Sequence, residues 1–262
     1  MRPKALLIDL DGVLYTGREP IPGAKDAIAY LDDSGISYRF VSNTTRKSRR
    51  SIVKHLNQLG FDISGDLVFT PPRAAVQYLK NAGKSRISLL TTGDVGSEFR
   101  EERFHITDES PDFVVIGDAG DGFSYESLNN AFRMVIAGAG IIALEKDRYW
   151  MGDDGLLLSA GPFVAALEYA TGKVAAIMGK PSNAFFLLAL ESMAVSPDEA
   201  VMIGDDVVTD VGGAISAGLS GVLVRTGKFR EDALAAANKK PDMVIGSIAD
   251  IPRVFHELER RD

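Results

Sequence analysis

Cysteine is absent from the 262 residues. Disulfides, thiolate nucleophiles and Cys-based zinc sites are therefore excluded. Only three histidines occur, scattered without the spacing of a metal site. No apolar run is long enough to span a bilayer. The opening "MRPKALLIDLDG" places acids where a signal peptide needs a clean hydrophobic stretch. The expectation is a cytoplasmic protein with no membrane association. Basic charge is also scarce: the formal net charge is −7, which argues against a general nucleic-acid binder. The single basic run is "RKSRR", Arg46 to Arg50. Repeats and Ser/Gly linkers are lacking as well.

What is present is an ordinary globular composition, 45% apolar and 25% charged, sufficient for a full core without staples. The most informative stretch is "KALLIDLDGVLYTG", residues 4 to 17. An apolar run ends in two acids, Asp9 and Asp11, two positions apart. A strand apolar on both faces belongs in a covered parallel sheet. Carboxylates are expected at its carboxyl end, where open α/β sheets bind ligands.

Strand and helix patterns alternate along the chain. "KALLIDL", "ISYRFVS", "AVMIGDD", "SGVLVRTG" and "DMVIGS" read as strands. "PGAKDAIAYLDDSG", "RKSRRSIVKHLNQLG", "PPRAAVQYLKNAG" and "SNAFFLLALESMAV" read as helices, punctuated by Pro22, Gly35 and Gly60. "DVGGAISAG" reads as a shorter helix. Such alternation predicts βαβ units and a parallel sheet with right-handed crossovers. The middle of the chain holds further strands, "RISLLTT", "DFVVIGD", "GIIALEK" and "GLLLSAG", with the helices "YESLNNAFRMVIAG" and "PFVAALEYATG". A second α/β unit over residues 84–178 is thus expected as an insertion, between core halves 1–83 and 179–262. Tyr125, Phe132 and Met134 read as core of the insertion. Phe185, Phe186, Leu187 and Leu190 read as one buried helix.

Four constellations carry chemistry. Asp9 can serve as a nucleophile toward phosphorus, and Asp11 as an acid and base for the leaving oxygen and the water. "DLDG" alone reads equally well as an acidic strand end before a turn. "VSNTT" supplies Ser42, Asn43 and Thr44 at another strand end, ahead of a helix whose N-terminus favours anions. The same residues also suit a simple N-cap. In "IMGKPSN", Lys180 stands just before a helix, a place that disfavours a cation unless an anion is near. A phosphoryl group or Asp9 would supply one; a solvated lysine is the alternative. Neither "MGKPS" nor "TGKF" is a P-loop. In "AVMIGDDVVTD", Asp205 is the natural Mg²⁺ ligand, with Asp206 and Asp210 behind it.

Taken in order, "DLDGVLY", "SNTT", "GKP" and "GDDVVTD" resemble the four motifs of the haloacid dehalogenase (HAD) superfamily. The insertion between the second and third looks like a C2-type cap. "GDGFSYESLNNAF", "GPFVAALEYATG" and "VVTDVGGAISAGLSGVLVRTGKF" resemble type IIA. This group includes NagD-like nucleotide phosphatases, p-nitrophenyl phosphatases and pyridoxal phosphate phosphatases. The chain also resembles the family of haloacid dehalogenase-like hydrolase domain-containing protein 2 and of its relative, the phospholysine phosphohistidine inorganic pyrophosphate phosphatase.

The resemblance implies a Rossmann-like three-layer α/β/α parallel-sheet core with an inserted smaller α/β C2-type cap. It implies Asp9 as nucleophile, Asp11 as acid/base and Lys180 as the neutralising cation. Mg²⁺ would be held by Asp9, the Asp11 carbonyl and Asp205. Ser42 and Asn43, with Thr44 beside them, would hold the phosphoryl group. Dehalogenases of the superfamily lack the second aspartate, so Asp11 implies a phosphatase. The substrate would be a small phosphorylated metabolite entering between core and cap.

Where many type IIA caps carry an Asn–Pro–Asp-like stretch, this chain has "EKDRYW". Lys146, Arg148 and Tyr149 can there meet an anionic substrate tail or stack on a ring. A charged hairpin packing locally is the other reading. Self-association through the cap is a further expectation, since relatives often dimerise there. The rivals to hydrolysis are phosphoryl transfer to a non-water acceptor, as in a phosphomutase, and non-catalytic binding of a phosphorylated ligand or partner.

Overall fold

The computed structural model describes residues 3–152 and 154–259, with side chains as far as Phe255. Contacts divide the chain into two compact units. One comprises Met1–Ser42, Val53–Phe69 and Lys180–Asp262, and the other Asn43–Ile52 and Thr70–Gly179. Residues 70–83, assigned from sequence to the first core half, thus pack with the second unit.

The first unit is built on a six-stranded parallel sheet. Its order is Met243–Ile245, Ser220–Val224, Ala200–Gly204, Ala5–Asp9, Ser37–Val41 and Val68–Phe69. All five residues of Ala5–Asp9 are buried. Because successive side chains face opposite ways, this strand is covered on both faces, as its unbroken apolar run demands. The helix Ala24–Ser34 buries Ala24, Ala27, Ile28 and Leu31, a single stripe at i, i+3, i+4 and i+7. It ends at Gly35, whose φ of 67° is the left-handed conformation of a helix C-terminus. The helix Asn183–Glu191 buries Phe185, Phe186 and Leu190, but Leu187 is 45% exposed. Its apolar surface is therefore wide rather than complete.

The second unit holds a five-stranded parallel sheet, ordered Ala176–Ile177, Gly140–Ala143, Phe113–Ile116, Arg86–Leu90 and His105–Ile106. Val114, Ile116, Ile141, Val135, Val164 and Leu167 form its core. Phe132 and Met134 are partly buried against that core, whereas Tyr125 is 85% exposed. Tyr125 opens the helix Tyr125–Ile136, one turn ahead of Leu128, where the packed stripe begins.

Two-residue strands such as Val68–Phe69 and Ala176–Ile177 are too short to show a period of two in sequence. The strand expected at "GLLLSAG" is Gly155–Leu158. It pairs antiparallel with Tyr149–Gly152, the hairpin that was one of the two readings of "EKDRYW". Among the described residues, no helix is long and apolar enough to cross a membrane.

Candidate active site

Strand register brings three of the expected positions to one sheet end. Asp9 lies opposite Val41 on one neighbouring strand, and Ile8 lies opposite Ile203 on the other. Ser42 and Asp205 therefore follow the carboxyl ends of the two strands flanking Asp9. The chain leaves that central strand toward one neighbour and returns later on the other, so Asp9 stands at the switch point where open sheets bind ligands.

Lys180 is the electrostatic centre of the site. Its side chain is only 4% exposed, and its Nζ lies 2.5 Å from Asp9 Oδ1 and 2.7 Å from Asp210 Oδ1. Burial works against the ammonium, yet the Asp210 and Asp9 carboxylates outweigh it and hold Lys180 above the ordinary lysine range. Burial pushes Asp9 up to about 7; the Lys180 charge opposes this, while Asp210 and Asp205 add to it. Asp205 is likewise raised by burial, to about 6, with the Lys228 amide opposing. The anion that the position of Lys180 required is supplied by the protein itself.

Carboxylate oxygens of Asp9, Asp205 and Asp210 lie within 4.8 Å of one another, all buried. When ionised, these three carboxylates outnumber the Lys180 ammonium paired with Asp9 and Asp210. Buried charges of this kind are paired or coordinate a metal, and hard oxygen donors suit Mg²⁺. The donor set therefore fits a divalent cation. Asp11 contributes no carboxylate to this trio; its side chain is exposed at the turn after the strand. The reading of Asp11 as a ligand thus rests on its backbone carbonyl alone.

The remaining acids have defined tasks. Asp206 accepts hydrogen bonds from the amides of Val208 (2.8 Å) and Thr209 (3.0 Å), shaping the turn that follows. Asp210 Oδ2 accepts from the Asp206 amide at 3.1 Å. The expected short helix here is a wide π-turn, Val207–Gly212, running into Gly213–Ser216.

Ser42, Asn43 and Thr44 are half-buried. Ser42 belongs to the first unit, and Asn43 and Thr44 to the second. The expected helix N-terminus does not adjoin them. That helix is Arg49–Gln58, and its first amides are already taken. Asp94 accepts from the Ser48 amide at 2.7 Å, and Glu98 from the Arg49 amide at 2.5 Å. These carboxylates occupy the place that a phosphate would have used.

In the second unit, Lys146 Nζ pairs with Glu168 at 2.5 Å, which engages the charge expected to meet substrate. Arg148 and Tyr149 are exposed. Glu145 is the anchor of their loop: buried, it accepts from Ser159 Oγ (2.6 Å) and the Ala160 amide (2.8 Å). Trp150 packs beneath Arg46, whose guanidinium lies 5.5 Å from the ring centre.

Sequence reasoning missed Tyr15 and the loop Thr226–Lys228. Burial, with Asp11 and Asp9 nearby, pushes the Tyr15 phenol up to about 12. The Lys228 amide donates to Asp205 Oδ2 at 2.7 Å. The signals for that loop were its glycine and its place at the end of the type IIA-like stretch "VVTDVGGAISAGLSGVLVRTGKF".

Comparison with known proteins decides the family. The family described as haloacid dehalogenase-like hydrolase matches residues 6–105, and that described as HAD-hydrolase-like matches 177–251. Human haloacid dehalogenase-like hydrolase domain-containing protein 2 is 43% identical over 238 residues, covering 91% of this chain and 90% of that protein. The chain belongs to the haloacid dehalogenase-like hydrolases.

Among HAD relatives, human phospholysine phosphohistidine inorganic pyrophosphate phosphatase is 42% identical over 253 residues, covering 94% and 92%. The solved 4-nitrophenylphosphatase of Thermotoga maritima superposes with a TM-score of 0.87 at 28% identity, covering 96% and 97%. NagD of E. coli K-12 gives 0.86 at 26% identity, covering 95% and 98%. The HAD parallel-sheet α/β fold and a hydrolase of phosphatase type follow from these matches together.

Proposed function

We propose that this HAD hydrolase cleaves small phosphate monoesters through an aspartyl-phosphate on Asp9, and that it depends on Mg²⁺. The observation that carries the reading is the buried cluster itself. A strand-end aspartate stands 2.5 Å from a buried lysine and within 4.8 Å of two further carboxylates.

An Asp9 oxygen attacks phosphorus, the ester P–O bond breaks, and Asp11 gives its proton to the leaving oxygen. Asp11 then takes a proton from water, whose oxygen attacks phosphorus and releases phosphate from Asp9. Lys180 keeps the Asp9 carboxylate oriented and lowers its demand for a proton. Asp9 and Asp205, with the Asp11 carbonyl, would hold the cation, and Asp210 orients Lys180. When bound, the cation supplies charge neutralisation for the phosphoryl oxygens. Ser42, Asn43 and Thr44 are assigned to those oxygens.

The test is phosphate release with Mg²⁺ from p-nitrophenyl phosphate, natural phosphate esters, inorganic pyrophosphate and phosphohistidine. Wild type should turn over at least one, and Asp9→Asn none. A near-normal rate in that variant rules out the covalent route. Transfer to an added alcohol in place of water would favour the phosphomutase-like alternative.

Self-association through the second unit is the matching proposal for assembly. It is supported by one face of the 149–158 hairpin, where Tyr149 and Met151 stand across from Leu158 and Leu156, all more than half exposed. Apolar faces of this kind mark interaction sites.

A further inference from the structure

The loop Thr226–Lys228 has no acidic side chain and no part in the steps above, yet it is hydrogen-bonded to the site at two points. Thr226 Oγ1 donates to the Gly12 carbonyl at 2.5 Å, across 214 positions of sequence. That bond ties the loop to the turn that carries Asp11. The Lys228 amide donates to Asp205 Oδ2 at 2.7 Å. Gly12 and Gly227 flank the same oxygen: a Cβ on either would fall under 3.0 Å from it. Both glycines hold positive φ, 87° and 62°, a conformation that L side chains rarely adopt. Asp205 itself is 2% exposed.

We propose that Thr226, Gly227 and Lys228 form a positioning loop, which with Gly12 fixes the Asp205 carboxylate so that it offers a single oxygen to the cation. Oδ2 is committed to the Lys228 amide and enclosed by two glycines, which leaves Oδ1 as the ligand. A carboxylate so held acts as a one-oxygen ligand. That suits Mg²⁺, which demands near-ideal octahedral geometry with short bonds. It disfavours Ca²⁺, which takes more oxygens and readily accepts both from one carboxylate. The loop therefore selects Mg²⁺ over Ca²⁺ at the same site. This inference rests on the reading that Asp205 holds the cation.

The experiment is calorimetric titration of the substrate-free protein with Mg²⁺ and with Ca²⁺, together with melting temperatures in chelator. The variants are Asp205→Asn, Gly227→Ala, Thr226→Val and Thr226→Ser. Asp205→Asn should abolish Mg²⁺ binding; if it binds as wild type does, the cation reading itself fails. Gly227→Ala should weaken Mg²⁺ by about 10–100-fold, the range for lost support of a ligand. Its Ca²⁺ affinity should fall less, so the Mg²⁺/Ca²⁺ ratio narrows.

Thr226→Val removes one hydrogen bond and should weaken Mg²⁺ by about 2–10-fold, with Thr226→Ser restoring it. Should Gly227→Ala melt far below wild type in chelator, the Thr226 pair decides. If Asp205→Asn abolishes binding while Gly227→Ala and Thr226→Val keep the wild-type Mg²⁺ affinity and ratio, the positioning loop is overturned.

Discussion

Lys180→Met removes the ammonium that forms ion pairs with Asp9 and Asp210 and keeps a similar volume. Three buried carboxylates within 4.8 Å of one another then lose the ammonium that sits 2.5 Å from Asp9 and 2.7 Å from Asp210. Taking one partner from a buried ion pair costs about 3–5 kcal/mol, because the remaining charge stays desolvated. For a chain of this size each kcal/mol moves the melting temperature by about 2–4 °C. The variant should therefore melt about 6–20 °C below wild type in chelator above neutral pH. Acidification should shrink the deficit, since the stranded carboxylates can take up protons and cease to repel one another. Excess Mg²⁺ should shrink it too, by supplying positive charge to the same oxygens. Turnover should fall by about 10²–10³, as for the loss of one charge-stabilising donor. The assay is thermal unfolding followed by circular dichroism, in chelator and in Mg²⁺, at acid and alkaline pH. If Lys180→Met melts with wild type in chelator above neutral pH, the lysine is not compensating the cluster, and the electrostatic account of the site fails.

The site also sets a pH dependence. Asp9 and Asp205 are raised by burial to about 7 and about 6, above the ordinary aspartate value of 3.8. The folded chain thus holds more protons than the unfolded one between those values, and linkage makes stability fall as pH rises through that window. Metal-free protein should accordingly lose melting temperature from about pH 4 to 7, and saturating Mg²⁺ should remove the slope; a flat metal-free profile contradicts the burial of these groups. Asp11→Asn should lower turnover by about 10²–10⁴, the usual worth of a general acid–base, while leaving calorimetric Mg²⁺ affinity near wild type. Met151→Glu with Leu158→Glu should convert any dimer seen by sedimentation to monomer without lowering the melting temperature, because both side chains are solvent-exposed already.

The sequence by itself determined what local pattern controls. Four apolar residues, Ala5 to Ile8, followed by Asp9 fix a central strand with an acid at its end. Apolar spacing and Gly35 fix the helix Ala24–Ser34 and its stop. Alternation fixes a parallel sheet, and four short motifs in order fix the family. These properties depend on neighbours within a few positions.

Tertiary structure decided whatever joins residues far apart in the chain. Lys180 meets Asp9 across 171 positions, which turned a lysine at a disfavoured helix start into a buried counter-charge. Asp94 and Glu98 took the helix start expected for a phosphate. Glu168 claimed Lys146, and burial made Asp210 a partner of Lys180. The loop Thr226–Lys228 closed on Asp205 through the Lys228 amide and the space left beside Gly227, contacts that no local pattern announces. Hydrogen bonds from the main chain and space left by an absent Cβ exist only once the strands are in register. For that reason the acids were legible from the sequence, and the way they are held was not.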